Sequence, residues 1–222
     1  MNSQTFVSRS TVLKRLFSSK NTLVFLSLSF ALLAFFAKVY PYFAFDLLIT
    51  KTIQYYNLTW FDFLMKLISK SGQTSIGFII LVIISLILLF LRKNKESVML
   101  IISTVGITLL GSILKSLVAR PRPDPMLVTQ FEHFTKLDSF PSGHVIFAVG
   151  FYGFLAFLAY TIIKKGLMQK IIIGFSTTMI LLMGFSRIYL GVHWFSDVLG
   201  SYLVGSVWLL LMVYFYQKSV TT

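Results

Sequence analysis

Two histidines in the second half of the chain are placed where they could carry out nucleophilic and acid–base chemistry. His193 precedes Asp197 by four positions, and His144 closes a PSGH string at 141–144. Residues four apart share one face of a helix, so the carboxylate could hold one ring nitrogen while the other attacks an electrophile. His144 could then protonate a departing oxygen. Taken alone, each pattern is commoner as a helix-surface pair or a helix start.

Three cations accompany these strings: Lys115, Arg122 and Arg187. Their positive charge would suit a phosphoryl transition state, which carries negative charge on three equatorial oxygens. Ser142 is a natural N-cap, and Gly143 lets backbone N–H groups approach an anion closely. We therefore predict catalysis on a phosphate ester. No metal or other cofactor is expected, because the carboxylates do not cluster as a two-metal site requires. The alternative is that the cations reach lipid headgroups.

A second Arg-Pro pair begins at Arg120. Only four residues separate Lys115 from Arg120, whereas six separate it from Arg122. The phosphate-binding role is therefore assigned to Arg122. Arg120, with His133 and Lys136, is predicted to be a solvated loop residue, and its replacement by alanine is expected to cost little activity.

The composition indicates a membrane protein. Of the 222 residues, 56% are hydrophobic and only 12% are charged, whereas roughly a quarter of the residues of a soluble domain are charged. The net charge of +13 is dispersed between apolar runs, which favours lipid headgroups and membrane topology over a nucleic-acid partner. The chain contains no cysteine, so disulfides and thiolate metal sites are excluded.

Six apolar runs predict an all-α bundle of six transmembrane helices in a single membrane domain over residues 1–222. Some runs are shorter than the roughly 20 residues that a span needs, but each can extend into its flanks. Segment 43–72 has apolar residues at helical spacing, and a capping box is predicted at Thr59 and Asp62, which indicates amphipathic interfacial helices between the first two spans. The apolar runs lie near 22–37, 76–91, 97–114, 145–163, 171–185 and 198–216.

The Lys/Arg distribution predicts the orientation. With six spans, both termini lie on one side, and that side holds eleven cations and one acid, Glu96, whereas the other side holds nine cations and six acids. By the positive-inside rule, both termini are cytoplasmic. The three strings, which occupy residues 115–197, then all reach the extracytoplasmic face.

In order and residue for residue, the three strings resemble the signature of the type 2 phosphatidic acid phosphatase superfamily. The match extends from Lys115 to Asp197. The membrane branch of this superfamily includes bacterial phosphatidylglycerophosphate and undecaprenyl pyrophosphate phosphatases. The resemblance implies a metal-independent membrane hydrolase of a lipid phosphate or pyrophosphate monoester, and we expect a phosphohistidine at His193. The expected partners are that substrate and membrane lipids, without nucleic acid.

Two other classes of protein remain open. A vanadate-dependent haloperoxidase has a similar site, but that branch is soluble and six spans argue against it. A transporter or channel for anionic lipid would explain the membrane helices and the cations, yet it has no use for His193 and Asp197 beside His144. Release of inorganic phosphate from a lipid pyrophosphate separates these classes.

Overall fold

The chain folds into a bundle of helices. The computed structural model describes residues 20–55, 58–132 and 138–221. Within these ranges, the only β pairing is one isolated bridge between Pro121 and Asp138. The helices of the described ranges are α1 (Lys20–Val39), α2 (Ala44–Gln54), α3 (Thr59–Ser71), α4 (Thr74–Phe90), α5 (Asn94–Val118), α6 (Gly143–Ile162, with a π-helical turn at Val149–Gly153), α7 (Leu167–Tyr189) and α8 (Phe195–Thr221).

The prediction of an all-α bundle of membrane helices is confirmed. Five helices, α1, α5, α6, α7 and α8, are each long and apolar enough to cross a membrane. The remaining predicted span, near 76–91, corresponds to α4, which has 17 residues and is therefore about 25 Å long. Helix α3 precedes α4 at an angle of 59°. The two together make up the sixth candidate span.

Helix α6 forms the centre of the bundle. Its residues Val145, Ile146 and Phe154 are completely buried, and α5, α7 and α8 pack around it. Helix α1 instead exposes large apolar side chains, including Phe25 and Leu28. An apolar surface of this kind suits contact with lipid, since the hydrocarbon core offers no hydrogen-bonding partners.

The interfacial segment is helical as predicted, and its buried side combines apolar with polar side chains. In α2, Asp46 and Thr50 are fully buried, whereas Phe45 and Leu48 are exposed. The Thr50 hydroxyl donates a hydrogen bond to the Asp46 carbonyl. Helix α2 therefore turns a carboxylate towards the bundle, together with Ile49 and Ile53, which pack against the core, and leaves Phe45 and Leu48 outside.

The predicted capping box at the start of α3 is wrong. The helix does begin at Thr59, but the N-cap residue is Leu58 and no side chain caps it. The Asp62 carboxylate accepts a hydrogen bond from the Tyr189 hydroxyl instead. Asp62 thus joins the interfacial segment to the end of α7.

Three helix ends and one turn meet at one end of the bundle and bring residues of all three strings together. The C-terminal ends of α5 and α7, the N-terminal end of α6 and the turn that precedes α8 line one cavity. The segment after α5 is held there by Gln54, whose side chain bonds both the N–H and the carbonyl of Thr129. The Phe131 N–H also donates to the Leu190 carbonyl. Hydrogen bonds to its backbone therefore fix the segment after α5 beside the site.

Candidate active site

His193 lies in the tight turn between α7 and α8. Gly191 adopts φ +68° in this turn, a left-handed conformation that favours glycine. The backbone N–H of His193 donates to the Arg187 carbonyl over 3.2 Å. The expectation that His193 and Asp197 share a helix face is therefore wrong in detail, because α8 begins only at Phe195.

Asp197 nevertheless reaches the His193 ring. Its Oδ2 lies 3.5 Å from Nδ1 of His193 and accepts the Trp194 N–H at 2.9 Å. The Ser139 hydroxyl also donates to this Oδ2, and it lies 3.3 Å from Nδ1. Asp197 thus closes the first turn of α8 with its own side chain, and this bond to Trp194 holds the carboxylate beside the imidazole.

The other ring nitrogen of His193 faces the cations. Nε2 lies 3.4 Å from Nη1 of Arg122. Burial lowers the pKa of His193 well below its usual value, and the charges of Arg122, Lys115 and Arg187 lower it further. His193 is therefore a neutral imidazole at neutral pH, the form in which a ring nitrogen keeps its lone pair.

The three predicted cations surround this imidazole. Lys115, in the last turn of α5, donates to the Asp138 carbonyl at 2.9 Å, and Arg122 donates to the Val192 carbonyl at 2.7 Å. Burial, followed by the charge of Arg187, lowers the pKa of Arg122 to about 10, so Arg122 remains charged at neutral pH. These hydrogen bonds hold the two cations in place, so their positive charge lies beside His193.

Arg187 has an acidic partner that the sequence reading did not anticipate. Its Nη1 donates to Glu132 Oε2 at 2.8 Å and also to the Ser69 hydroxyl. Arg187 is buried and Glu132 is half-buried, and both line the cavity. An anion that binds Arg187 therefore meets a guanidinium whose charge Glu132 already partly balances.

The PSGH string forms the start of α6. Ser142 is the N-cap residue as predicted, but its side chain makes no capping bond. Its buried hydroxyl has no hydrogen-bond partner within the described ranges. A Cβ placed on Gly143 would meet open space, so an anion can approach the first-turn N–H groups, which have no partner inside the helix.

The cavity has a volume of about 740 Å³, which is within the range of small-molecule sites. Of the eight residues predicted for the site, six line it, and Ser142 and Asp197 lie behind its wall. Within the described ranges, no three His, Asp or Glu residues are grouped as a metal site would need. The lining residues among the eight are Lys115, Arg122, Gly143, His144, Arg187 and His193.

The prediction that Arg120 is a solvated loop residue is wrong. Its side chain is fully buried and lies 2.7 Å from Asp197 Oδ1 and 3.1 Å from Asp46 Oδ2. The physical reason is the turn that ends α5, where Ala119 adopts φ +51° and directs the next residue inward. His133 and Lys136, for which solvation was also predicted, lie outside the described residues.

Sequence reasoning also missed Ser139 and Glu132 as neighbours of the site. Both lie in the segment between the first two strings, which carries no fixed spacing. The Lys115 ammonium contacts the Ser139 carbonyl at 3.4 Å. A usable signal is the acidic character of Glu132 in a connection that must reach the same face as Arg187.

The fold and the site together define a class: a helical membrane protein whose cavity gathers a histidine–aspartate pair, a second histidine and three cations. The chain belongs to the PAP2 superfamily, which matches residues 96–221. It is 30% identical over 174 residues to phosphatidylglycerophosphatase B of Bacillus subtilis, covering 78% of this chain and 84% of that protein. It is also 30% identical over 165 residues to undecaprenyl-diphosphatase of Sulfolobus acidocaldarius, covering 73% and 74%.

Two solved structures share the architecture. The crystal structure of the transmembrane PAP2-type phosphatidylglycerolphosphate phosphatase from Bacillus subtilis matches with a TM-score of 0.76 and 27% identity, over 89% of this chain and 96% of that one. The structure of Aquifex aeolicus LpxE matches with a TM-score of 0.60 and 24% identity, over 77% and 96%. The second likeness supports the fold alone.

Proposed function

We propose that the protein is a membrane phosphatase that hydrolyses a phosphate or pyrophosphate monoester of a lipid at the extracytoplasmic face. The observation that carries this proposal is the cavity itself, in which Nε2 of neutral His193 lies beside Arg122 while Nδ1 faces Asp197. The names of the relatives, a phosphatidylglycerophosphatase and an undecaprenyl-diphosphatase, support the same chemistry.

In the first step, the lone pair on Nε2 of His193 attacks phosphorus in line. The N–P bond forms while the bond from phosphorus to the leaving oxygen breaks, and His144 donates a proton to that oxygen. Asp197 accepts the Nδ1–H of the ring and so stabilises the positive charge that develops on the imidazole. The product of this step is a phosphohistidine and the dephosphorylated lipid.

In the second step, His144 takes a proton from water, whose oxygen attacks phosphorus on the side opposite the N–P bond. That bond breaks, inorganic phosphate leaves, and Nε2 regains its lone pair. Lys115, Arg122 and Arg187 stabilise the charge on the equatorial oxygens in both steps. The backbone N–H groups at Gly143 add hydrogen-bond donors on the α6 side. In this scheme the side chains supply the positive charge, and no metal is needed.

The walls of the cavity favour a lipid substrate. Away from His193, the lining includes an apolar strip made by Phe78 and Leu81 on α4 and by Val105 and Leu109 on α5. Phe78 and Leu109 are also exposed on the outer surface of the bundle. A phosphate at the cations could therefore carry an acyl or isoprenoid chain along this wall into the surrounding lipid.

We expect Val105→Trp to discriminate between lipid and soluble substrates. The indole would fill the apolar wall without touching the cations, so kcat/KM for a lipid phosphate should fall at least ~10-fold. Hydrolysis of a water-soluble aryl phosphate should stay within about twofold. Ile113→Trp is the matched control, because Ile113 lies on the same helix, is 59% exposed and does not line the cavity. Equal losses on both substrates would contradict this role for the wall.

The orientation can be tested by cysteine labelling, since the natural chain has no cysteine. Met126 is 90% exposed in the segment between α5 and α6, and Asn94 is exposed at the opposite end of α5. In intact cells, a cysteine at Met126 should react with an impermeant thiol reagent and one at Asn94 should not. The reverse pattern would place the site on the cytoplasmic face.

A further inference from the structure

A buried chain of charges joins the interfacial helix α2 to the aspartate that holds His193. Arg120 lies between two carboxylates, with Nη1 at 2.7 Å from Asp197 Oδ1 and Nη2 at 3.1 Å from Asp46 Oδ2. All three side chains are completely buried. Arg120 thus contacts the oxygen of Asp197 that faces away from the imidazole, while Oδ2 of the same carboxylate faces Nδ1.

The remaining polar atoms of this buried chain of charges are also hydrogen-bonded. Ser196 accepts Nη1 of Arg120 at 2.7 Å and donates its own hydroxyl to Asp46 at 2.7 Å. The Ser196 N–H donates to Asp46 Oδ1 at 2.8 Å, and the Phe43 N–H donates to Oδ2 at 3.0 Å. Arg120 Nε donates to the Tyr40 carbonyl at 3.2 Å. The guanidinium is therefore fixed at Nε, Nη1 and Nη2.

Such an arrangement is a poor way to stabilise a fold. Removing charges from water costs free energy that their mutual attraction often does not recover. Apolar residues of similar size would therefore stabilise the fold at least as well. Ala119, in the left-handed conformation just before Arg120, adds backbone strain at the same point. Strain and buried charge beside a candidate nucleophile indicate a role in positioning.

We propose that Arg120 and Asp46 are positioning residues for the reaction, acting through Asp197 on His193. Arg120 anchors Oδ1, which leaves Oδ2 directed at Nδ1 and so holds His193 in the tautomer whose Nε2 is the nucleophile. Asp46 binds Nη2, the other terminal nitrogen of the Arg120 guanidinium. The two carboxylates and one guanidinium then carry a net charge of −1. This excess negative charge attracts the positive charge that develops on the imidazole.

The kinetic test, which rests on the proposed function, uses Arg120→Lys and Asp46→Asn in detergent-purified protein. Each should lower kcat by about 10- to 100-fold. The KM for a lipid phosphate and the inhibition constant of inorganic phosphate should stay within about twofold, because neither residue lines the cavity. Arg122→Lys provides the contrast, since a cavity-lining cation should change both constants.

Asp62→Asn is the matched control. It removes a carboxylate of the same interfacial segment, but one that bonds Tyr189 and does not belong to the buried chain of charges. Its kcat should match the wild type. Wild-type kcat in Asp46→Asn would overturn the proposal, and so would a rise of KM and of the phosphate constant in step with the fall in kcat. If Arg120→Lys does not fold, Asp46→Asn decides alone.

A second measurement does not depend on turnover. The chain has three histidines, so ¹⁵N-histidine spectra, assigned with His193→Gln, report the tautomer of His193 directly. The wild type should show Nδ1–H alone, and Asp46→Asn should show a mixture with Nε2–H. An unchanged tautomer would overturn the positioning role. An inactive wild type would instead defeat the proposed function, and the spectra would still decide this inference.

Discussion

His193→Ala should lower turnover of a lipid phosphate by about 10⁴-fold or more, because it removes the atom that forms the bond to phosphorus. The substitution leaves a small space in a turn held by backbone hydrogen bonds to the Arg187 carbonyl, so the fold should survive. Phosphate release by purified protein measures the effect, and an unchanged elution volume in size-exclusion chromatography serves as the control. Activity within tenfold of the wild type would exclude His193 as the nucleophile.

His144→Ala extends the same test to the proton donor. An alkoxide leaving group needs protonation and an activated aryl oxide does not, so the variant should lose far more activity on a lipid phosphate than on the aryl ester. The difference should be about 10²-fold. Equal losses on both substrates would remove His144 from the acid role while leaving His193 in place.

Single alanine substitutions of Lys115, Arg122 and Arg187 should each lower kcat/KM by about 10²-fold or more. Each side chain lines the cavity beside His193. Vanadate can adopt the five-coordinate shape of the phosphoryl transition state, so its inhibition constant should rise along with the loss of activity. Arg187→Ala carries an added cost, because it leaves the Glu132 carboxylate facing the phosphate.

Lys51→Ala is the control for these cation variants. Lys51 lies near the same end of the bundle on α2, is exposed and does not line the cavity. Its removal should change neither kcat/KM nor vanadate inhibition. Comparable losses at Lys51 and Arg122 would show that general surface charge, rather than contact with the phosphoryl group, determines the rate.

The convergence of the three strings could be predicted from the sequence because membrane topology is a strong constraint. Each apolar run must cross the bilayer, so alternate ends of successive runs meet on one side. Lys115, His144 and Arg187 stand at such ends, and the structure brings them to one cavity. No knowledge of side-chain packing was needed for that step.

Arg120 could not be placed in the same way. The Arg-Pro pairs at Arg120 and Arg122 look alike, and the difference arises from the left-handed turn at Ala119 and from a partner, Asp46, that is 74 positions away. The spacing rule identified the cation that faces the cavity, but it carried no information on the one that faces the core.

Asp46 was given no role in the sequence analysis, because only the apolar residues of its segment were used. Beside a membrane, an apolar side chain can face lipid while a polar group of the same helix turns to the protein. In α2, Leu48 is exposed and Asp46 is buried. An acidic residue in an otherwise apolar interfacial helix is therefore a useful signal of a buried polar partner.

The most direct test of the mechanism is to trap the phosphoryl group on the enzyme. Purified protein is mixed with a ³²P-phosphorylated lipid in the presence of EDTA and quenched into alkali within the first turnover. We expect label on the protein that is stable to alkali, labile to acid, located in the peptide containing His193 and absent from His193→Ala. Phosphate release without such label, label on another residue, or a requirement for metal would contradict the mechanism.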